Sequence, residues 1–452
     1  MTVITSPKFI KGRWPLGCLK EIRKDPIQFG KSVSLLNPPL VEVGVLGESV
    51  YFTSDAHVAH EILVSSASLT NRGKNYEILE SLAGHGLFSS EGVYWKQQRK
   101  TIQPSMGHGH YDNYIEIFET ISYELEADWN NRQGEEMKMA DEMSIFTIRA
   151  ISISLFSFDI LKKYPTAIHD IFYLLRFINL RYYDWLRLPL WLPFPNFIKF
   201  NRTLNRLDQI VLDIIQKRRE SEESKGDMLD LLLEGLDGLS GKPLSNKQIR
   251  DEVLTIIAAG FKTSSATLSW IWYQLSKNPV VLQKMRLEIK GAIGLGKLDS
   301  KNIHLLKYTR SVINEGLRMC PSAFAVSRNF NSDVEEFAGI KVKGGSRVIT
   351  SIFGIHYNPL YWDNPEEFNP DRFIENEKEL KRKGVFIPFG MGARICLGAE
   401  FSMLEMTTVL AKLVSKFTPV CKEDYHPKMI AAIAIQFNEE MPMRMESLDK
   451  NK

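Results

Sequence analysis

Alternation of apolar and polar positions predicts a small amount of β-structure. Val41 to Val45 and Ser49 to Thr53 alternate and are rich in β-branched residues, and they would be joined near Gly47 as a hairpin. Three later runs are also strand-like: Val326 to Phe330, Ile340 to Val342 and Arg347 to Ile352. Gly344-Gly345 is typical of a hairpin turn between the last two runs. We expect all of these strands to pair in one small sheet.

Most of the remaining chain is predicted to be helical. The clearest helix should begin at Ser245, because Ser245-x-x-Gln248 resembles a capping box, and should end at Lys277, just before Asn278-Pro279. Further helices are expected in these segments: Ser54-Asp55 to about Val64, from Glu91, several over 113–220, Pro279 to about Ile293, Tyr308 to Met319, and from Ala399. The predicted fold class is mainly α with a minor β-sheet.

Two segments are predicted to lack regular structure. Residues 1–40 contain several prolines that interrupt helices and strands, and residues 71–90 are loop-like, with Gly73, Gly84 and Gly86. The polar connections farther along the chain do not divide it, and the motifs described below must converge on one site. We therefore expect residues 1–452 to form a single domain, with 1–40 as an irregular N-terminal segment.

Composition and charge place the chain among ordinary globular enzymes. It has 452 residues, of which 44% are hydrophobic and 25% charged. The net charge of +3 gives no basic footprint for a nucleic-acid partner. The four cysteines are scattered, without zinc-binding or disulfide spacing, which fits a reducing compartment. These features predict a cytoplasmic protein.

The sequence predicts no transmembrane anchor. Residues 1–19 lack an apolar run, and the most apolar stretch, Leu188 to Ile198, is too short to span a bilayer and contains three prolines. Residues 174–198 are nevertheless rich in apolar side chains, with arginines between them. They could form a partly buried helical hairpin, or an apolar lid over a substrate channel that rests on a membrane surface.

The segment 389–398 carries the chemistry most visible in the sequence. It contains Cys396, Arg394 and three glycines at fixed offsets, and its physical reading is a thiolate presented from a tight loop to a metal. Glycines at 390, 392 and 398 can adopt positive φ or let the backbone approach a flat ligand. Phe389 can shield the sulfur from water, and Arg394 can meet a carboxylate of the ligand. The alternative is a buried, inert cysteine in a glycine-rich turn.

The segment Phe389 to Gly398 resembles the haem-binding loop of the cytochrome P450 family, F-x-x-G-x-R-x-C-x-G, at every specified position. The family's other motifs occur in the same order as in the family: Trp95-x-x-x-Arg99, Ala259-Gly260-x-x-Thr263, Glu315-x-x-Arg318, and Pro370-x-Arg372-Phe373. The resemblance implies the cytochrome P450 fold, with haem b bound between the long helix and the cysteine loop. It also favours the lid interpretation of residues 174–198.

The resemblance implies roles for individual residues. Cys396 would bind the iron, Trp95, Arg99 and Arg328 would hold haem propionates, and Phe324 would face the substrate. The haem-binding set as a whole is Trp95, Arg99, Ala259, Gly260, Arg328, Phe389, Gly390, Arg394, Cys396 and Gly398. A buried charged triad would brace the haem loop and consists of Glu315, Arg318 and Arg372.

Lys262 departs from the family pattern. The position before Thr263 usually carries an acid thought to help proton delivery, and this chain has a lysine there. Lys262 could point to a surface ion pair and leave proton delivery to Thr263 and water. It could face the pocket with a depressed pKa and donate a proton itself. The reaction could also require no such delivery, so Lys262 and Thr263 are both candidate catalytic residues.

The implied reaction is monooxygenation of an apolar substrate, such as a fatty acid, a terpenoid or a polyketide-like molecule, with O2. The haem-binding fold takes up the 452 residues and leaves no room for a flavin or ferredoxin domain. Electrons are therefore expected from a separate ferredoxin or flavodoxin-type donor and its reductase. Lys96, Lys100 and the run 378–383 are either solvated surface or a docking face for that donor. The alternatives are an isomerase, a dehydratase or a peroxide-using enzyme, or a haem-binding sensor without turnover.

Overall fold

The fold is mainly α-helical. The computed structural model describes residues 8–10, 12, 16–36, 39–45, 48–73, 76–182, 188–221, 223–294, 296–437 and 440–448. Its helices are α1 (Leu19–Lys24), α2 (Pro26–Ser34), α3 (Ala56–His60), α4 (Glu77–Ala83), α5 (Gly92–Ile102), α6 (Tyr111–Asn131), α7 (Met139–Phe156), α8 (Ile160–Lys163), α9 (Ala167–Tyr182), α10 (Pro195–Glu220), α11 (Met228–Glu234), α12 (Asn246–Lys277), α13 (Pro279–Ala292), α14 (Lys307–Met319), α15 (Ile352–His356), α16 (Glu377–Arg382) and α17 (Ala399–Val414). Its strands are β1 (Lys8–Ile10), β2 (Val41–Val45), β3 (Glu48–Thr53), β4 (Thr70–Asn71), β5 (Met137–Lys138), β6 (Ala325–Phe330), β7 (Val334–Phe337), β8 (Ile340–Val342), β9 (Arg347–Ser351), β10 (Phe417–Val420), β11 (Met429–Ile430), β12 (Gln436–Phe437) and β13 (Pro442–Ser447).

The largest sheet has the strand order β1-β2-β3-β9-β6-β4. β2 and β3 pair antiparallel, with Val43 opposite Val50, as the alternation predicts; Gly47 lies outside the described residues. β3 then pairs parallel with β9, and β9 pairs antiparallel with β6. The predicted pairing of the N-terminal hairpin with the strands near residues 326–351 is thus confirmed for these two strands.

The pairing predicted for Ile340–Val342 is wrong. β8 pairs with β7 in a separate two-stranded sheet. The turn between them contains Ala338 and Gly339, both with positive φ, rather than Gly344-Gly345. A two-residue turn of this kind closes the shortest available loop, so the strand joins its immediate neighbour in the chain.

The N-terminal segment is not irregular, which corrects the prediction for residues 1–40. β1 pairs parallel with β2, and two helices follow. The Asp25 side chain accepts a hydrogen bond from Gln28 N, and Pro26 occupies the first position of α2. A proline here starts a helix instead of ending one, because its fixed φ suits that position and no N–H is needed there.

The predicted loop at residues 71–90 also contains a helix. α4 buries Ile78, Leu79 and Leu82, and it packs against α12. Gly84 follows it with φ of +54° and ends it. The burial of a short apolar face stabilises a helix that local sequence signals do not reveal.

The long helix α12 has the predicted start and end, and it runs through the main hydrophobic core. The capping box at its start is present, with Ser245 and Gln248 satisfying each other's backbone N–H groups. The helix packs against α7, α10 and α14. Its middle turn forms part of the cavity described below. In the part of the chain that the structure describes, no helix combines the length and apolarity needed to cross a bilayer.

The apolar stretch at residues 174–198 forms the end of α9, a connection and the start of α10. The two helices pack as a hairpin in which the Phe177 and Phe200 rings stack with centroids 4.4 Å apart. Leu180 and Trp191 are exposed, whereas Tyr182 reaches the cavity. Arg187 and its neighbours at 183–186 lie outside the described residues. The structure thus shows the helical hairpin, and it places one end of this hairpin beside the cavity.

Candidate active site

A cavity of about 860 Å³ lies between the middle of α12 and the cysteine loop. Most residues that the sequence identifies as candidates line it: Trp95, Arg99, Ala259, Gly260, Thr263, Phe324, Arg328, Phe389, Gly390, Arg394, Cys396 and Gly398. The chain segments that supply these residues are hundreds of positions apart, and the fold brings them together. Lys262 and the predicted triad are not among the described residues of the cavity wall.

The cysteine loop is held in a tight backbone conformation. Cys396 N donates to Phe389 O at 2.9 Å, which closes the loop on itself. Gly390 and Gly392 have φ of +72° and +73°, and a Cβ on Gly392 would come within 2.3 Å of Leu63 O. Glycine is therefore required at position 392 for both conformation and space. Gly398 has φ of −86°, so the positive φ considered for it is not needed.

The Cys396 side chain opens onto the cavity. Burial in the surrounding protein raises the pKa of this thiol, while the Gly398 N–H and the Arg99 guanidinium lower it. Both groups therefore favour the thiolate over the thiol. A thiolate supported by a backbone N–H and a nearby cation is suited to ligating a metal ion.

Six arginines among the described residues line the cavity, and three of them, Arg99, Arg328 and Arg394, were expected. Arg99 donates to Ile395 O at 2.9 Å, and Arg394 donates to Ser90 O at 3.1 Å. Arg328 is buried and donates to Ser327 O at 2.8 Å. Sequence reasoning missed Arg23, Arg72 and Arg347, since they belong to no motif. The Arg72 guanidinium stacks on Tyr76 and Phe88 at 4.1 and 4.5 Å from the ring centroids.

Arg394 pairs with Glu91 at 2.5 Å, whereas Arg72, Arg99 and Arg328 have no carboxylate partner among the described residues. Burial lowers the pKa of Arg99 and of Arg328, and burial together with the nearby Arg72 and Arg328 lowers the pKa of Arg394 to about 10. Arg72 Nε is buried without a hydrogen-bond partner among the described residues. Carboxylates of a ligand bound here would accept hydrogen bonds from these guanidinium groups and would offset the repulsion between them.

Trp95 completes this side of the cavity. Its buried ring lies under the Arg394 guanidinium at 3.7 Å from the ring centroid. The position of Trp95 one turn before Arg99 on α5 brings both side chains to the cavity, as the spacing predicts. A flat ligand with a thiolate-bound metal and two carboxylates therefore fits the residues present, and haem is such a ligand.

The middle of α12 forms the opposite wall. Thr263 Oγ1 donates to Ala259 O and Gly260 O, both at 3.0 Å. A Cβ on Gly260 would lie 2.6 Å from Ile151 Cδ1 of α7. Gly260 thus serves helix packing as well as the cavity wall.

Lys262 points away from the cavity, so of the three alternatives for this residue the structure does not support the one in which it faces the pocket. Its Nζ lies 3.4 Å from Ser144 Oγ and 4.1 Å from the Phe172 ring centroid. One position along an α-helix turns a side chain about 100° around the axis, and on this side of Thr263 the turn directs Lys262 toward α7 and α9. Burial lowers the pKa of Lys262, and Asp141 opposes this shift.

Several hydroxyl groups form a polar patch beside Thr263. Ser322 Oγ donates to Thr263 O at 2.8 Å and lies 3.2 Å from Thr267 Oγ1. Ser264 Oγ donates to Ser402 Oγ at 3.5 Å. All five residues line the cavity, and we call Thr263, Ser264, Thr267, Ser322 and Ser402 the hydroxyl cluster. Apart from Thr263, sequence reasoning missed them, because serines and threonines are too common to stand out without a motif.

The predicted triad is present behind the cavity. Glu315 receives two hydrogen bonds from Arg318, at 2.7 and 2.9 Å, and Arg372 Nε lies 3.4 Å from the same carboxylate. Arg318 also donates to His356 O at 2.8 Å. His356 was not singled out from the sequence, yet its Nε2 accepts from Ile387 N at 3.0 Å. The triad is thereby connected to the chain that leads into the cysteine loop.

Comparisons with known proteins cover nearly the whole chain. The family model described as Cytochrome P450 matches residues 7–437. Cyclooctatin synthase of Streptomyces melanosporofaciens is 28% identical over 400 residues, which are 87% of this chain and 85% of that protein. Cyclooctat-9-en-7-ol 5-monooxygenase of the same organism is 26% identical over 406 residues, which are 89% and 87%. The chloroplastic protein LUTEIN DEFICIENT 5 of Arabidopsis thaliana is 29% identical over 391 residues, which are 82% and 65%.

These matches extend far beyond the short motifs and include the segments that form the cavity wall. They confirm the relationship that the cysteine loop suggests, and with it the expected fold. The chain belongs to the cytochrome P450 family.

Proposed function

We propose that this protein, a haem-thiolate monooxygenase, inserts one oxygen atom into a compact apolar molecule of terpenoid type. The observation that carries the proposal is the shared wall of one cavity, where Cys396 and the arginines face the same space as the apolar side chains. In the overall reaction, dioxygen, two electrons and two protons convert a C–H bond into C–OH and release water. Haem, when bound, supplies the dioxygen chemistry.

The roles of the chain's own residues follow from their positions. Cys396 would hold the iron through its thiolate, and the Gly398 N–H would moderate the charge on that sulfur. Trp95, Arg99 and Arg328 would hold the carboxylates of the haem, joined by Arg394 and Arg72. Of the described residues that line the cavity, Cys396 is the only cysteine, which leaves no thiol for covalent attachment of the porphyrin. This supports haem b as the cofactor.

The substrate end of the cavity supports an apolar ligand. Phe324 lines it together with Ala323 and Ala325 at the start of β6, and apolar residues of α7 face them. These side chains offer packing but few hydrogen bonds, so they exclude water and position a substrate by shape. One similar protein is named for oxidising cyclooctat-9-en-7-ol, which its name describes as an unsaturated alcohol. We therefore favour a terpenoid over a fatty acid or a polyketide-like molecule.

Turnover with isotopically labelled dioxygen tests this proposal. Purified holoenzyme, a surrogate ferredoxin with its reductase, and a panel of terpenoids, fatty acids and macrolactones would be incubated under ¹⁸O2. We expect a terpenoid product that carries one labelled oxygen and needs the electron donor. Product that forms without donor or dioxygen would instead identify an isomerase or dehydratase, and product that needs only peroxide would identify a peroxide-using enzyme. Absence of any turnover would favour a sensor.

Cytochrome P450 enzymes use redox partners, and we propose a ferredoxin or flavodoxin-type protein here. Lys96 and Lys100 are exposed on α5, whose Arg99 contacts the residue before Cys396. An acidic donor bound there would approach the thiolate side of the haem. The run 378–383 is less suited to this role, because Lys381 pairs with Glu377, and Arg382 pairs with Glu379, at 2.7 Å each.

We also propose a cytoplasmic location, with membrane contact as the alternative. The cysteines are free and dispersed, as expected in a reducing compartment. The exposed Leu180 and Trp191 could rest on a lipid surface. Cell fractionation before and after a salt wash distinguishes the two locations, since a peripheral protein sediments with membranes.

A further inference from the structure

The largest sheet supplies one wall of the cavity. Side chains two positions apart on a strand share a face, and the cavity-lining residues of β3 and β9 follow this rule. They are Glu48, Val50 and Phe52 on β3, and Arg347, Ile349 and Ser351 on β9. The helices α1 and α2 contribute further residues to this part of the cavity. One face of two paired strands therefore borders the space available to a substrate.

The middle of this wall is apolar. The Phe29 and Phe52 rings meet edge to face with centroids 5.5 Å apart, and both belong to one apolar cluster with Ile349. Ile349 lies two positions after Arg347 and two positions before Ser351 on β9. At the rise of an extended strand, Arg347 and Ser351 are about 13 Å apart along β9. An apolar molecule can thus pack along the strand between these two residues.

The Ser351 end of the wall leads to the residues that face the substrate. Ala325 lies opposite Ser351 in the antiparallel pair of β6 and β9, and Phe324 directly precedes Ala325. Both residues line the cavity. Arg347 lies at the other end of the wall, where β9 begins. A molecule that occupies the wall would therefore have one end beside Phe324 and the other end beside Arg347.

The Arg347 end of the wall carries charged side chains. Gly17 bridges to Val45, which pairs with Glu48, so the start of α1 lies beside this end of the hairpin. Arg23 follows on α1, and Arg23, Glu48 and Arg347 all line the cavity. These three described residues together carry one excess positive charge. The apolar wall thus ends in a group of side chains that favours an anion.

The Arg347 guanidinium is available to such an anion. Its side chain is partly buried, and no other described residue forms an ion pair or a hydrogen bond with this guanidinium. A guanidinium presents its N–H donors in a planar fork that matches the two oxygens of a carboxylate. The single excess charge matches a carboxylate better than a phosphate monoester, which carries about 1.5–2 negative charges.

We propose that the substrate carries a carboxylate, which Arg347 binds with Arg23 beside it, at the end of its apolar body remote from Phe324. Glu48 would repel the same anion, so it limits how tightly the acid binds. The carboxylate takes no part in the oxidation and serves to fix the position of the apolar body along β9. This inference rests on the proposed function and narrows the substrate from a terpenoid to a terpenoid acid.

The test measures ligand binding to the ferric holoenzyme through the change in its haem absorption spectrum. Farnesoic acid, farnesol and farnesyl phosphate share one apolar chain and differ in the head group, and lauric acid with dodecanol forms a second pair. Arg347→Gln removes the positive charge, and Glu48→Gln removes the negative charge. Arg202→Gln is the control, because Arg202 is exposed on α10 and does not line the cavity. Haem content and the ferrous–CO spectrum verify that each variant is folded and cysteine-ligated.

The two variants should change acid binding in opposite directions. We expect wild type to bind farnesoic acid about 10-fold more tightly than farnesol, and Arg347→Gln to abolish this preference, since a charge-assisted hydrogen bond is lost. Glu48→Gln should tighten binding of the acid roughly 2- to 5-fold, as expected for one exposed charge. The affinity for farnesol should stay the same in all variants, and Arg202→Gln should match the wild type throughout.

Three results would overturn the proposal. The first is equal affinity of the wild type for acid and alcohol in both ligand pairs, or no spectral change with any acid. The second is an equal loss of acid and alcohol binding in Arg347→Gln, which would mean that Arg347 only shapes the wall. The third is tightest binding of farnesyl phosphate, which would replace the carboxylate by a phosphate. These titrations need neither electrons nor dioxygen, so they decide the proposal even if the labelled-dioxygen experiment finds no monooxygenation.

Discussion

At the scale of single residues, the buried positive charges of arginine side chains determine which ligand the cavity can bind. Arg72, Arg99, Arg328 and Arg394 line one side of it, and burial lowers the pKa of the last three of these arginines. The motifs identify most of these residues, because a motif fixes residue type and spacing. Arg72 and His356 escape sequence reasoning, since only their surroundings in the fold distinguish them from ordinary arginines and histidines.

Arg72→Gln should weaken haem binding. Loss of one charge-assisted hydrogen bond costs about 1.5–3 kcal/mol, which corresponds to roughly a 10- to 100-fold larger Kd for haem. The measurement is the rate and extent of haem transfer to apomyoglobin. Arg23→Gln is the control, because Arg23 also lines the cavity but is exposed on α1. Equal haem loss from both variants would contradict a specific role for Arg72.

The difference in unfolding free energy between Glu252→Gln and the wild type should increase in favour of the variant as the pH rises from 5 to 8. Burial raises the pKa of Glu252 from 4.5 to about 8 in the folded protein. Between these values the unfolded chain loses the proton and the folded chain keeps it, so wild-type stability falls as pH rises. The advantage of the glutamine variant should grow by about 1.4 kcal/mol per pH unit in this window.

Urea unfolding at several pH values between 5 and 8 measures this difference. The exposed Glu234 provides the matched control, and Glu234→Gln should show no such growth. Parallel stability curves for wild type and Glu252→Gln would mean that Glu252 is ionised in the folded protein.

At the scale of elements, short sequence motifs correctly predict those helices and strands that are stabilised by interactions between residues close in the chain. The capping box at Ser245 marks α12 correctly, because the residues that satisfy the helix end are three positions apart. The helices α2 and α4 are not predicted, since nine and seven residues contain too few turns for a clear pattern and both depend on burial. The pairing of β8 fails for a related reason: several glycine turns are present, and only packing selects among them.

The connection between α14, α15 and the cysteine loop yields a prediction for His356. Burial lowers the pKa of His356 to about 3, so the ring is neutral and Nε2 can accept from Ile387 N. His356→Phe keeps a ring stacked on Phe386 but leaves that N–H buried and unpaired. We expect a loss of about 1–3 kcal/mol in the free energy of unfolding.

The variant should also reduce the fraction of protein with the cysteine-ligated ferrous–CO spectrum, because the chain before the loop is less firmly held. Chemical unfolding and that spectrum are the two measurements. His304→Phe, at an exposed histidine, serves as the control. An unchanged spectrum together with lower stability would limit His356 to a general structural role.

At the scale of the whole molecule, a net charge of +3 conceals local differences. The basic run on α16 is largely paired with its own glutamates, whereas Lys96 and Lys100 stand exposed on the helix next to the cysteine loop. Composition alone cannot show this, since it does not reveal which charges are already partnered. The site of encounter with an acidic protein therefore depends on the fold rather than on the number of lysines.

Charge reversal at Lys96 and Lys100 should slow electron transfer from an acidic donor. We expect a roughly 10-fold lower rate for the double Lys→Glu variant at low ionic strength, and a difference that disappears in about 1 M salt. Stopped-flow reduction of the ferric enzyme measures the rate. A double variant with Lys290→Glu and Lys307→Glu changes two exposed lysines on α13 and α14 and controls for net charge. A salt-independent effect would point to altered structure instead of docking.

The contacts between α5 and the cysteine loop also bear on how the protein is made. Arg394 bonds to Ser90 O, 304 positions earlier in the chain, and Arg99 bonds to Ile395 O, 296 positions later. A growing polypeptide leaves the ribosome from its N-terminus. The helix α5 is therefore synthesised long before the cysteine loop that it contacts. Haem capture therefore belongs to the last stage of synthesis. A nascent chain that stalls before Cys396 already contains Arg72, Arg99 and Arg328 but lacks the cysteine that would bind the iron.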